Sequence, residues 1–277
     1  MSVEDAIILG LVHGLTEFLP VSRSGHFSIL NNLFSLTTPL GSHLFFDVLL
    51  RLGTLMAVVV VYWEDWRAMF RETLGLMNLG PEAGQNRGRS PGARLFFMLV
   101  IATLPLLLML PIKKPLEGLY ANSYFVGVAI LLTGSMLYVS DRMLPGRKNV
   151  GGMTLLDALI VGLCQCVGVI PGISRAGVTL TAGIATGFTR EFAVKFSFLL
   201  SLPAMLGATL YSLVQALREG VEMADVPAYL IGMAVSMVTG IAAIQLVQLI
   251  ARRGKFGGFA YYCWVVGALF LILTMIF

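Results

Sequence analysis

Residues 5–26 read DAIILGLVHGLTEFLPVSRSGH. The stretch starts as an apolar helix, carries His13 and Glu17 one turn apart on one face, and breaks at Pro20 into a polar turn, Ser22 to Gly25, that precedes His26. Residues 155–188 repeat the design, with an apolar run broken at Pro171-Gly172 and the turn Ser174-Arg175-Ala176-Gly177. Backbone broken in this way is tolerated at membrane depth only when protein or a water-filled cavity surrounds it. Residues 3–35 and 155–188 are therefore expected to be re-entrant helical hairpins with polar tips.

That reading needs a membrane, and composition supplies one. The chain has 277 residues, 57% of them hydrophobic and 12% charged. Apolar runs near 44–63, 94–112, 122–140, 192–217, 226–250 and 257–277 are long enough to span a bilayer. The expected fold class is an all-α polytopic membrane protein: six transmembrane helices plus two re-entrant hairpins in one domain, 1–277. No removable signal peptide is expected at the N-terminus. A net charge of +4 raises nucleic acid as a partner, but the Lys and Arg residues lie mainly in short connections between spans, so nucleic acid is discounted. Cys164 and Cys166, two apart in an apolar run, and Cys263 in the last span suit neither a disulfide framework nor a zinc site.

The two broken segments align. Asp5 to His13 matches Asp157 to Gln165 at an offset of 152, and the same offset carries Ser22-Arg23-Ser24-Gly25 onto Ser174-Arg175-Ala176-Gly177. FDVLLRL at 46–52 matches FSFLLSL at 196–202 at an offset of 150. Each half, about 1–141 and 153–277, is thus one hairpin followed by three spans, and three crossings invert the second half. Loop charge agrees. Arg67, Arg71, Arg87 and Arg89, then Arg142, Arg147 and Lys148, then Arg252, Arg253 and Lys255 fall on one face; Glu219, Glu222 and Asp225, with Arg218, fall on the other. Lys113 and Lys114 are the exception. With the basic loops cytoplasmic, the first hairpin enters from outside, the second from inside, and their tips meet near the midplane, where inverted repeats commonly build a substrate site.

At such tips the turns offer backbone N–H groups at helix N-termini, hydroxyls and guanidinium groups. Together these favour a polyoxygen anion, phosphate or pyrophosphate best. Structural roles stand beside this one. Glu17 could form a plain salt bridge with Arg23 or Arg175, although ionisable groups in membrane segments are functional by default. His13 could serve only as a hydrogen-bonding group and His43 only at the membrane interface. Ser22, Ser24 and Ser174 could cap helices while binding ligand, and Asp47 and Arg51, four apart, could neutralise each other or support the site.

The combination GLTEFLPVSRSGH, PGISRAGVT and FDVLLRLGTLMAV resembles the undecaprenyl pyrophosphate phosphatase, or bacitracin-resistance protein, family across essentially the whole chain. The resemblance implies a phosphatase of the bacterial plasma membrane, open to the extracytoplasmic side. Its action removes the terminal phosphate of a C55 isoprenyl pyrophosphate and so recycles the lipid carrier of wall synthesis. It implies catalytic roles for Glu17, His26, Ser174 and Arg175, with His26 first as nucleophile or base and Glu17 orienting it or holding a divalent cation, Mg or Ca. Substrate contacts are expected from Ser22, Arg23, Ser24, Gly25, Gly172, Gly177 and Thr179, supported by His13, Asp47 and Arg51. Membrane lipid is an implied partner, and a homodimer is left open. The chain departs from the family pattern at His13, usually Glu or Gln; at Arg23 and Ala176, usually Ser; and at Arg51, usually Gln or His. The first weakens a metal site built on paired carboxylates; the second removes a serine proposed as nucleophile. A lipid flippase and a non-catalytic isoprenyl-phosphate binder are the alternative readings.

Overall fold

The computed structural model describes residues 1–34, 44–77, 90–109, 111–112, 116, 118–219 and 223–276. The protein is all-α. Its helices are α1 (Val3–Phe18), α2 (Arg23–Phe34), α3 (Leu44–Val61), α4 (Trp63–Leu76), α5 (Pro91–Thr103), α6 (Ser123–Arg142), α7 (Leu155–Val167), α8 (Arg175–Ala185), α9 (Arg190–Glu219), α10 (Val226–Arg253) and α11 (Gly257–Ile276). Six stretches are long and apolar enough to cross a membrane: Leu44–Val61, Pro91–Met109, Ser123–Arg142, Arg190–Arg218, Met223–Arg253 and Gly257–Ile276. They match the six expected spans, and the protein is a multi-pass membrane protein. The segment 64–93, read from sequence as a basic loop, instead begins with helix α4. Its Glu64 and Asp65 occupy the first turn, where they suit the helix dipole, while Met69 is buried. His43, Arg87, Arg89, Lys113, Lys114 and Glu222 lie outside the described residues.

In lipid there is little hydrophobic force between helices, so close backbone approach through small residues holds them together. Helix α1 shows this best. A Cβ on Gly10 would fall 2.5 Å from the Gly232 carbonyl oxygen, and one on Gly14 would collide with the Thr239 hydroxyl and the Ser236 carbonyl. Because Gly10 meets Gly232 and Gly14 meets Ser236 and Gly240, α1 runs parallel to α10 and ends against its middle. In the second half, Arg94 at the start of α5 bonds the Met153 carbonyl at 2.6 Å, and a Cβ on Gly162 would strike Ala102. Helix α7 therefore runs parallel to α5. Gly10 and Gly162 stand 152 apart, and each packs its short helix on a span belonging to the other half.

The caps repeat as well. Ser2 Oγ accepts from Asp5 N at 3.0 Å and Thr154 Oγ1 from Asp157 N at 3.2 Å; Ser22 Oγ accepts from Gly25 N and Ser174 Oγ from Gly177 N, both at 3.1 Å. All four short helices begin with the same side-chain cap, and paired positions differ by 152. At one end of the bundle Asp141 collects the Phe256 N–H at 2.7 Å and Arg190 at 3.4 Å. This brings the end of α6 and the starts of α9 and α11 together, near the basic residues Arg142, Arg252 and Lys255.

Tight packing at Gly14 has a measurable cost of change. Gly14→Leu should lower the melting temperature of the detergent-solubilised protein by the equivalent of about 1–3 kcal/mol or more, the usual range for overpacking. Gly207→Leu, where a Cβ would meet nothing within 4 Å, should leave it unchanged. Equal effects at the two positions would remove the α1–α10 contact from the account.

Candidate active site

The tips of the two short-helix pairs touch. Pro20 and the turn after it stop α1, and Ser22 sits at φ 72°, the one non-glycine residue at positive φ among the described residues. Such strain is held only where the surroundings fix it, and it gathers at functional turns. Gly172, at φ 83°, makes the corresponding bend in the second pair, where an added Cβ would meet Ala129 and the Val126 carbonyl. The Gly172 N–H donates to Ser24 Oγ at 3.0 Å, a direct bond between tips 148 residues apart. Thr133 on α6 props the second tip: its hydroxyl accepts from Ser174 N at 3.1 Å and lies 3.4 Å from the Gly172 carbonyl.

The charges meet there. Glu17, with its side chain only 8% exposed, takes Arg23 Nε on Oε2 at 2.8 Å and Arg175 Nη2 on Oε1 at 2.5 Å. One carboxylate thus joins an arginine from each half. Both guanidinium groups keep further N–H donors, and their side chains are 32% and 21% exposed, so they remain reachable by a ligand. Arg51 on α3 is near enough to interact electrostatically with Arg23, Glu17 and Asp47; it bonds Ser212 Oγ at 3.3 Å, and its buried Nε has no partner among the described residues. His13 is 1% exposed, sits within the field of Arg23 and Arg51, and packs edge-on to Phe27 with centroids 5.8 Å apart. Neither of its ring nitrogens has a partner among the described residues.

Other expected residues turn elsewhere. His26 does not bond Glu17, whose two oxygens belong to the arginines. Instead its Nδ1 lies 2.9 Å from the Ser22 carbonyl oxygen and its Nε2 2.8 Å from the Tyr262 hydroxyl, with the two rings stacked 2° from parallel. A carbonyl can only accept, so Nδ1 carries the proton of the neutral ring and Nε2 accepts from Tyr262. The orienting groups of His26 are therefore Ser22 and Tyr262. Thr179, expected at the substrate, is buried and bonds Ser197 Oγ at 2.5 Å and the Arg175 carbonyl at 3.0 Å, fastening α8 to α9. The amides of Gly25 and Gly177 are held by Ser22 and Ser174, and that of Gly172 by Ser24, so these three are not free donors for an anion. Thr133 and Tyr262 went unread because a lone hydroxyl or tyrosine in an apolar span looks the same whether it faces lipid, core or site.

Against His26 and Tyr262 lies a groove of about 460 Å³ between α1 and the α10–α11 turn, lined by Leu11, Leu15, Leu19, Ile250 and Phe259, with Lys255 also on its wall. Apolar walls that reach His26, Tyr262 and Lys255 suit an amphiphile with a polar head.

The bacitracin resistance protein BacA family matches residues 6–269. The chain belongs to this family. It is 35% identical over 276 residues to the undecaprenyl-diphosphatase of Carboxydothermus hydrogenoformans, covering 99% of this chain and 98% of that protein. It is 38% identical to the undecaprenyl-diphosphatase of Syntrophotalea carbinolica (99% and 100% covered) and 34% identical to that of Alkaliphilus metalliredigens (100% of both). These relatives align nearly from end to end, so the segments that form the two tips and the groove fall inside the aligned range.

The strained turn generates a stability test. Ser22→Gly relieves positive φ at a strain of about 1–2 kcal/mol while losing a cap that glycine replaces to within a few tenths, so it should match or exceed wild-type stability. Ser174 sits at φ −77°, and Ser174→Gly has no strain to relieve, so it should be less stable than wild type. The reverse order in thermal unfolding would show that Ser22 is not strained.

Proposed function

We propose that the protein is a membrane phosphatase that hydrolyses undecaprenyl pyrophosphate to the monophosphate and inorganic phosphate, with its chemistry at the joined tips. The observation that carries this is the carboxylate of Glu17 held between Arg23 and Arg175, beside an apolar groove, in a chain that matches undecaprenyl-diphosphatases throughout. A pyrophosphate monoester needs positive charge on the transferred phosphoryl group and an in-line nucleophile; the lipid monophosphate is a good leaving group. Arg175 and Arg23, positioned by Glu17, clamp the phosphate oxygens. A water oxygen bonds to the terminal phosphorus while the bond from that phosphorus to the bridging oxygen breaks, leaving its electron pair on the lipid phosphate. His26 Nε2 takes the water proton, or attacks in place of water to give a phosphohistidine that water then cleaves. Either role requires Nε2 to exchange its Tyr262 hydrogen bond for the substrate. Ser174 and Ser22 hold the two turns, and Ser24 locks one tip to the other.

The two halves are read as inverted repeats, about 1–141 and 153–277, whose hairpins enter from opposite faces of the bacterial plasma membrane. In support, α1 runs with α10 to its middle and α7 runs with α5, each from the end where its host span begins. Basic loops at one end make that end cytoplasmic. Single cysteines in place of Lys148 and Glu222, introduced after the native cysteines are replaced, should be labelled from opposite sides of the membrane. Labelling of both from one side would end the inverted arrangement.

Catalysis is tested by phosphate release from purified protein with C15 and C55 pyrophosphates. Arg175→Ala and His26→Ala should each lower turnover by at least about a hundredfold, the lower end of general acid–base contributions. Arg175→Lys should recover little, because an ammonium cannot reproduce the planar fork. Near-normal turnover in Arg175→Ala would make that arginine structural.

A further inference from the structure

Phosphoryl transfer commonly uses a divalent cation to neutralise the phosphates, and the donor set at these tips does not fit one. Calcium takes six to eight oxygen ligands, many of them carboxylates and carbonyls, and magnesium, which keeps several waters beside the substrate's phosphates, still needs one or two carboxylates from the protein. Here the Glu17 carboxylate has each oxygen bound to a guanidinium group. Among the described residues no three His, Cys, Asp or Glu side chains gather as a metal site. His13, at the position where a second carboxylate would complete a pair one turn from Glu17, offers only imidazole nitrogens, which suit softer metals. Arg23, Arg175 and Arg51 around Glu17 would also repel a cation. We infer that this site neutralises its diphosphate with arginines, Arg23 standing where a divalent cation would otherwise bring its charge. The inference rests on the phosphatase reading given above.

The geometry explains how Arg23 does this. Its Nε is spent on Glu17, which leaves both terminal nitrogens as donors on a side chain that is 32% exposed. Arg175 approaches the other oxygen through one terminal nitrogen and keeps its remaining N–H groups. Two planar forks anchored on opposite oxygens of one carboxylate form a clamp able to grip phosphate oxygens bidentately. The unmatched buried groups beside it, Arg51 Nε and the His13 ring, give a second set of contacts for an oxygen-rich ligand. The three arginines outnumber Glu17 and Asp47 by one positive charge, which favours an anionic ligand over a cation.

The test uses the full chain, purified in detergent and stripped with EDTA. Phosphate release from C55 pyrophosphate is measured in EDTA, Mg²⁺ and Ca²⁺, and Mn²⁺ binding is followed separately by electron paramagnetic resonance. Wild type should differ by no more than about twofold between EDTA and either metal and should bind no Mn²⁺ at the site. Arg23→Ser should lose at least about tenfold in EDTA. Arg23→Lys, which keeps the charge without the fork, should recover part of that loss and so separate charge from folding. The paired change His13→Glu with Arg23→Ser should gain both Mn²⁺ binding and a requirement for metal. Loss of wild-type activity in EDTA with recovery in Mg²⁺ or Ca²⁺ overturns the inference, as does Mn²⁺ binding that wild type shows and Glu17→Gln lacks. Wild-type activity of Arg23→Ser in EDTA overturns it too. Should wild type release no phosphate in any condition, the phosphatase reading fails and the Mn²⁺ titrations alone decide about the metal.

Discussion

A buried carboxylate with two arginines is the constraint around which this protein is arranged. Glu17 lies at the end of a helix too short to cross a membrane, where an unpaired charge would be costly. Its partners come from outside that helix: Arg23 from beyond the Pro20 turn and Arg175 from the other half of the chain. Satisfying Glu17 therefore requires both tips to reach the same point. The Ser24–Gly172 bond, the Thr133 prop and the strained Ser22 are the further fastenings that hold them there.

The bilayer sets how those tips are carried. Gly10 and Gly14 let α1 lie against α10, and Gly162 lets α7 lie against α5, so each broken helix rests on a continuous span of the opposite half. The exchange ties the halves together before any side chain at the tips is counted. It also leaves Glu17, Arg23 and Arg175 on short, capped helices.

Much of this was legible in the sequence because its signals are repeated. Six apolar runs gave the spans, and the offset of 152 located the turns whose serines prove to cap both helices in the same way. Glu17, Arg23 and Arg175 stood out as charges placed in apolar surroundings. Helix α4 was hidden because its composition is that of a charged loop, and only its burial of Met69 and its packing beside α5 mark it as an element. The partners of His26 and Thr179 were hidden for a different reason. Tyr262 and Ser197 are 236 and 18 residues away, and side-chain direction at a helix start is set by tertiary packing that local pattern does not encode. At the tips the same serines that mark a turn also occupy the amides of Gly25, Gly172 and Gly177.

The central claim is that Glu17 and Arg175 hold the halves together as one energetic unit, and a double-mutant cycle on thermal unfolding measures it most directly. Glu17→Gln, Arg175→Gln and the double variant, compared in detergent with wild type, should show a coupling of about 0.5–3 kcal/mol, as expected for residues in one salt-bridge network. Additivity within about 0.3–0.5 kcal/mol would mean that the two side chains do not act on each other, and would contradict the account.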